Sequence, residues 1–463
     1  MNRITKIFSV IIIAVCTLSF AACAGGNLPD NTAVITQNST PSPTLNPTEA
    51  PNINAILPDS KAFNDVPIDA QKWIDKAQNS SAVLMSQAEI QSMNKQIRNQ
   101  CSSLVDIENC DMSMTAAEIA SLIEASSGPS LPKYDETGKA ISQAVFNEIK
   151  NNRNIGALSG IVELKRAVTV QRTDIRALPT ATEFYNNSGK QDHDRMQESE
   201  LPAASAVLIL HESLDGKFYF IQSYYYTGWV DAANLAIVTE DTLKDWITFA
   251  KLLNLSENAT ADLHFVVITD PQLDINGIKL DMGTAIPLAD AQKQPGGDVY
   301  RVVLPNANTN RELTCLEFDI PSKSAHVGYA DYTLRNFCIQ AFKYLGTPYG
   351  WGGMHGNVDC SSYVLSVFKT FGFVFPRNTS QQNKVVGNAV NVAGKTLSEK
   401  ESILAGKDVP TVIYISGHAM IYLGKIDDAH YIIHAPGGGH VCETKYTGLD
   451  SVISICQVLS AMP

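Results

Sequence analysis

The sequence predicts an α+β protein in which helices come first, short strands follow, and the two mix only at the C-terminal end. Three observations predict it. Residues 60–156 carry apolar side chains at helical spacing, and residues 160–326 break into short β-rich runs with turn residues between them. Residues 330–463 set two amphipathic helices ahead of a β-hairpin pattern, so helices packed on an antiparallel sheet are expected there. A chain of 463 residues has the length for two to four domains. Its 35 Lys+Arg against 47 Asp+Glu give a net charge of −12 with no cationic run. That argues against a nucleic-acid partner, because neutralising phosphates takes clustered cations. Nine Cys are too few for a miniprotein built on disulfides.

The N-terminus reads as an export signal. Arg3 and Lys6 precede an apolar run from Ile7 to Phe20, closed by Ala21-Ala22-Cys23. A basic start, a short apolar run and small residues before the cut predict a signal peptide over 1–22. The run is shorter than the roughly 20 residues a spanning helix needs. The Ala-Ala-Cys ending resembles the bacterial lipobox, with Phe20 where that pattern prefers Leu; the resemblance implies that Cys23 is lipidated and becomes the first residue. Ordinary cleavage beside an incidental Cys23 is the alternative. Residues 24–59 hold six Pro and no aromatic side chain. They cannot bury enough apolar area to offset their ordering entropy. Residues 23–59 therefore read as a lipidated Cys and a tether with a reach on the order of 30 Å. The expectation is an exported lipoprotein at the cell envelope, membrane-anchored through lipid only.

Next comes a helical region over 60–156. Ile90, Met93 and Ile97 share one face of a helix from Gln87 to Ser102, and Thr115-Ala116-Ala117-Glu118 is a capping box opening a helix to Ile123. Gln143 to Asn151 supplies a third, with Val145, Phe146 and Ile149. Cys101 and Cys110, nine residues apart, form either a disulfide or two buried thiols. Two β units follow, at 157–245 and 258–326. In the first, Val162 to Gln171, Ala206 to His211, Phe218 to Tyr224 and Gly228 to Val230 read as strands, with an Asp215-Gly216 hairpin turn. In the second, Leu263 to Thr269, Ile278 to Pro287, Val299 to Leu304 and Leu313 to Ile320 do. Each unit is the size of a small barrel. The phrase from Asp215 to Ser223, ending in Thr227-Gly228-Trp229-Val230, resembles bacterial SH3-like barrels.

The chemistry is concentrated at 330–463. The glycine-rich turn Gly346-Thr347-Pro348-Tyr349-Gly350-Trp351-Gly352-Gly353 follows a helix from Arg335 to Leu345. Asp359 then sits at the N-cap position of a helix whose first turn holds Cys360. Unpaired N–H groups and the positive end of the helix dipole favour thiolate there. Val412 to Ile415, a Ser416-Gly417 turn and His418 to Leu423 make a hairpin, and His430 to His434 a further strand. His418 begins one strand and His434 ends the next, so antiparallel pairing brings both imidazoles to one sheet edge facing Cys360. A base beside a thiol, with an orienting group beside the base, is the logic of an activated nucleophile. His430 and His440 read as surface residues. No metal site is expected, since the short Cys-x-x-Cys and His-x-x-x-His pairs are missing. No cofactor is expected either: the glycine-rich turn lacks the Lys-Ser/Thr ending of a phosphate loop.

The domain resembles the NlpC-type family of papain-like cell-wall peptidases. The matching residues are Tyr349-Gly350-Trp351-Gly352-Gly353, Asp359-Cys360-Ser361, Pro376 to Gln382, His418 to Gly424 and Ile433-His434-Ala435. The whole order, a helical clip, two SH3-like barrels and a papain-like catalytic domain, resembles a multidomain subgroup of these enzymes. Ser362 stands where glycine is usual, and the strand before His418 lacks the usual Gly-Asp entry. The resemblance implies Cys360 as nucleophile, His418 as general base, His434 as the orienting third member, and Tyr349 with the Cys360 N–H as oxyanion donors. It further implies that Asp359 and Ser361 hold the free α-amine of an N-terminal L-Ala, with the first barrel walling the site; Tyr224, Tyr225 and Tyr226 are candidates for that wall, with strand packing as the alternative. The activity implied is cleavage of the γ-D-glutamyl–diamino acid bond in peptidoglycan stem peptides. An amidase or endopeptidase acting on intact peptidoglycan is one rival. A non-catalytic wall-binding lipoprotein is another.

Overall fold

The computed structural model describes residues 60–189, 193–253, 263–290, 294–295, 297–407 and 409–459. The export segment, Cys23 and the tether lie outside the described residues. Among those described, no helix is long and apolar enough to cross a membrane.

The clip helices form where the caps place them. Ser86 and Thr115 each accept from the backbone N–H three residues on, while Glu89 and Glu118 reach back to the cap, starting the helices Gln87–Gln100 and Ala116–Ala125. Ile90, Ile97, Ile119 and Ile123 face inward, as does Phe146 of the helix Gln143–Asn151. Val145, expected on that apolar face, is 41% exposed: a nine-residue helix this short buries one narrow stripe. Cys101 and Cys110 are free thiols. Cys101 Sγ lies 3.1 Å from Ser103 Oγ and Cys110 Sγ donates to Ile107 O at 3.3 Å.

The first β unit is one seven-stranded antiparallel sheet, in the order Leu235–Ile237, Lys165–Thr169, Ala206–Glu212, Phe218–Gln222, Thr227–Asp231, Thr173–Arg176, Gln197–Leu201. Trp229 is fully buried, and Gly216 takes φ +68° in the expected hairpin turn. Three of these strands, Thr173–Arg176, Gln197–Leu201 and Leu235–Ile237, lie outside the runs read from sequence. A helix, Leu243–Lys251, then packs on the sheet through Trp246, whose Nε1 donates to Ala167 O. The second β unit is built from three pieces instead of one sheet. They are Phe265–Ile268 between Ala285–Pro287 and Ala325–Val327, the hairpin Gln272–Ile275/Ile278–Asp281, and the long hairpin Val299–Ala307/Leu313–Pro321.

The C-terminal domain lays the helices Leu334–Lys343 and Cys360–Lys369 on a six-stranded antiparallel sheet. Its order is Asn388–Asn391, Ser454–Gln457, Thr411–Ile415, His418–Ile426, Ala429–His434, Cys442–Tyr446. The clip wraps this domain. Val83–Met85 pairs with Tyr332–Thr333, and Asn94 bonds both Gly372 O and the Val374 N–H. One apolar core runs from Trp73 through Trp229 and Leu304 to Tyr363, so the units are packed together over shared side chains.

Candidate active site

Asp359 caps the helix Cys360–Lys369, accepting from the Ser362 N–H at 2.9 Å. Ser362 Oγ returns the bond by accepting from the Asp359 N–H at 2.9 Å, which gives the residue standing in place of glycine a role as cap partner. Cys360 therefore occupies the first turn, as its position in the sequence predicts. Its Sγ lies 3.8 Å from Thr379 Oγ1 and 3.9 Å from Gly417 O, so the thiol abuts the turn that launches the His418 strand. That turn needs Gly417, whose φ is +77°.

Antiparallel pairing sets Ile421 opposite Ile433 and carries His434 back toward the start of the His418 strand. The two rings meet with His418 Nε2 2.7 Å from His434 Nδ1. Cys360, His418 and His434 are thus brought together from a helix start and two strand ends. His430 is buried, not on the surface: it faces Tyr422, whose hydroxyl lies 2.8 Å from Nδ1. His440 is exposed.

The electrostatics differ from the local expectation. Burial pushes the Cys360 thiol above its ordinary value, and the Asp359 carboxylate adds to the rise. The Ala419 N–H, Thr379 and Arg377 pull the other way without cancelling it. Burial, then His434, lowers His418 to about 4. Burial alone lowers His434. Burial thus disfavours both the thiolate that the helix start favours and the imidazolium that would accompany it. Tyr349, half-buried beside Asp359 and Cys360, has its hydroxyl pushed up by burial and by both neighbours, and it remains a donor at neutral pH.

Arg377 organises the floor of the site. Its guanidinium donates to Asp359 at 2.7 and 3.1 Å, to Glu200 at 3.0 Å, to Ser199 at 2.8 Å and to Ser361 at 3.0 Å, and the side chain is 2% exposed. Burial opposes ionisation of Asp359, but Arg377 and the Ser362 cap outweigh it and hold the carboxyl below its usual value. Burial wins at Glu200, whose carboxyl is raised despite Arg377 and Arg172. Ser361 Oγ spans Asp359 and Arg377 beneath the carboxylate.

Glu200, which the sequence did not single out, sits on the strand Gln197–Leu201, and this strand docks the first β unit against the catalytic domain. Gln197 Nε2 donates to Gly352 O, and Trp351 Nε1 donates to Gln197 O. Gly352 and Gly353 take φ +57° and +83°, and a Cβ on Gly353 would strike the Glu200 carboxylate. The Tyr-Gly-Trp-Gly-Gly phrase thus lets a neighbouring strand approach the backbone. Tyr224 and Tyr225 are buried in this junction, with Tyr225 OH donating to Glu200 O. Tyr226 is half-buried and donates to Glu198 Oε2 at 2.7 Å. Among the described residues, no three His, Cys, Asp or Glu side chains are grouped as metal ligands.

Comparison with known proteins identifies two domains in the chain. Residues 346–450 match the NlpC/P60 family and residues 184–231 the SH3 domain of SH3b1 type. A gamma-D-glutamyl-L-lysine dipeptidyl-peptidase from Bacillus subtilis (strain 168) is 30% identical over 109 residues, 23% of this chain. The match spans only 30% of that relative's length. An NlpC/P60 endopeptidase from Photobacterium damselae subsp. piscicida has the same fold, with TM-score 0.60 at 19% identity over 86% of this chain and 91% of that one. An NlpC/P60 family protein from Bacillus cereus ATCC 10987 aligns at TM-score 0.40 and 16% identity, over 57% of this chain and 82% of that one. The chain carries an NlpC/P60 domain of papain-like fold, preceded by an SH3b-type domain docked on its candidate active site.

Proposed function

We propose that the chain is a cysteine endopeptidase that cleaves the γ-D-glutamyl–diamino acid bond of peptidoglycan stem peptides, acting on fragments with a free N-terminal L-Ala. The observation that carries the reading is the His418–His434 pair at 2.7 Å, with His418 on the strand launched from the turn whose Gly417 O lies 3.9 Å from the sulfur of a buried, helix-start Cys360. With Nε2–H donating to His434, the other ring nitrogen of His418 is free to take the thiol proton as Sγ attacks the carbonyl carbon. Because burial disfavours both charged forms, that transfer accompanies attack. The Cys360 N–H and the Tyr349 hydroxyl receive the developing oxyanion. The imidazolium then protonates the departing amine, leaving a thioester that water hydrolyses with His418 again as base.

Substrate choice follows from the floor of the site. Arg377 holds Asp359 ionised, and that carboxylate with the Ser361 hydroxyl beside it is the acceptor set that an ammonium group matches. The docked strand Gln197–Leu201 closes that side, which favours short fragments over polymer. The same reading places the chain outside the cytoplasm as a lipoprotein held through Cys23. Metabolic labelling of Cys23→Ser with a palmitate analogue tests that anchor, and undiminished labelling would remove it.

The peptidase test uses L-Ala-γ-D-Glu-diaminopimelate and its N-acetylated form. Cleavage of the free peptide, lost in Cys360→Ala, is expected. Cleavage retained in Cys360→Ala sinks the mechanism. Equal cleavage of both peptides, or release of fragments from intact wall at a matching rate, sinks the free-amine requirement alone.

A further inference from the structure

Thr379 opens the helix Thr379–Val385 with its hydroxyl 3.8 Å from Cys360 Sγ. This helix is fastened to the nucleophile helix. Gln382 Nε2 donates to Ser361 O at 3.2 Å and to Pro376 O at 2.8 Å, and Gln382 is fully buried. Gln381 caps the same helix at Asn378 and donates to Ser103 Oγ of the clip at 2.9 Å. Thr379 is therefore held in register with the sulfur from two sides, by the catalytic domain and by the clip.

The thiol needs such a neighbour. A hydroxyl has one proton to donate and lone pairs to accept with, while the thiol has one proton. Gly417 O, 3.9 Å from Sγ, and the His418 nitrogen that takes the proton in the proposed mechanism both act as acceptors, so the S–H turns to one of them. The Thr379 O–H is left to donate to sulfur. Once the thiol proton leaves, the buried sulfur becomes anionic, and a donor already within reach of it gains strength.

We propose that Thr379 is a further catalytic residue, whose hydroxyl donates a hydrogen bond to the Cys360 sulfur and stabilises the thiolate formed when His418 takes the proton. The proton that moves is the thiol's, passing to the imidazole nitrogen not engaged by His434; Thr379 keeps its own. The inference rests on Cys360 being the nucleophile. It also gives the clip a part in catalysis, because the Ser103–Gln381 bond helps fix the Thr379 helix.

The test compares Thr379→Val, which keeps the branched shape, with Thr379→Ser, which keeps the hydroxyl, in the full chain. The readout is the pH dependence of Cys360 alkylation by iodoacetamide, which requires no substrate. It therefore separates this proposal from the choice of peptide. Thr379→Val should alkylate about 10-fold more slowly at neutral pH, the low end for a hydrogen bond to a charged group, with its rise displaced to higher pH. Thr379→Ser should keep the wild-type profile. On a cleaved peptide the valine variant should lose kcat with KM unchanged. A wild-type alkylation profile in Thr379→Val overturns the proposal, as does a serine variant that falls as far as valine. If valine unfolds the chain, the serine variant decides alone, since packing would still suffer there while donation would not.

Discussion

Removing Arg377 should do more damage than removing any other side chain in the site. Its guanidinium makes five hydrogen bonds to Asp359, Glu200, Ser199 and Ser361, and it is the cation that bridges the two carboxylates. In Arg377→Met both stay buried with no cation between them. Breaking a buried pair from one side costs about 3–5 kcal/mol. Glu200 limits the loss, because burial already raises its carboxyl and it takes up a proton once its partner is gone. About 3 kcal/mol is therefore expected. A chain of several packed units does not give one unfolding free energy, so the loss is best read locally. Amide exchange in Gln197–Leu201 and Cys360–Lys369 should speed up on the order of 100-fold, the equivalent of that energy. Adding Glu200→Gln should return part of it, with a coupling of about 1–3 kcal/mol between the two positions. Unchanged protection in Arg377→Met, or strict additivity in the double variant, would refute the account of a shared buried cation.

Three further outcomes follow from the same geometry. With His418 lowered to about 4, kcat/KM should climb through about pH 4 and stay level across neutrality, and an acidic limb near 6.5 would mean an ordinary imidazole. The folded pKa lies below the unfolded one, so the unfolded chain binds the extra proton and stability falls as pH drops from about 6.5 to about 4. Acid unfolding of wild type should therefore steepen in that window relative to His418→Gln. Gly353→Ala should lose about 1–2 kcal/mol to its left-handed φ and also push the Glu200 strand away. Gly406→Ala, at φ +73° with open space around it, pays the first cost alone, so matched activity in the two variants would dismiss the docking argument. Ser362→Ala removes the acceptor for the Asp359 N–H and should cost about 1 kcal/mol, read as a lower melting temperature with Cys360 alkylation preserved.

The candidate site residues Cys360, His418 and His434 were legible because their placement is local. An N-cap before Cys360, a turn before His418 and a strand end at His434 are each set by a few neighbouring residues, and antiparallel pairing does the rest. The strand Gln197–Leu201 was not legible. Gln-Glu-Ser-Glu-Leu has neither alternation nor an apolar run, because its polar groups are buried against a second domain and satisfied there by Arg377 and Trp351. Nothing within the segment announces a partner almost 180 residues away. The helix Leu243–Lys251 escaped for a related reason, since its Trp246 is buried against a strand 79 residues back. In the second β unit each run read from sequence does hold strand, and it is the division into three pieces that was not legible.

The charge of the nucleophile draws the same line. Sequence alone determined that Cys360 begins a helix behind an aspartate cap, and by local dipoles it favoured a thiolate. Tertiary structure decided otherwise, since burial acts against the charged form of both Cys360 and His418. Where the candidate residues sit is written in short stretches of chain. The protonation state in which they wait, and the carboxylate of Glu200 that joins them, depend on surfaces brought together only by the fold.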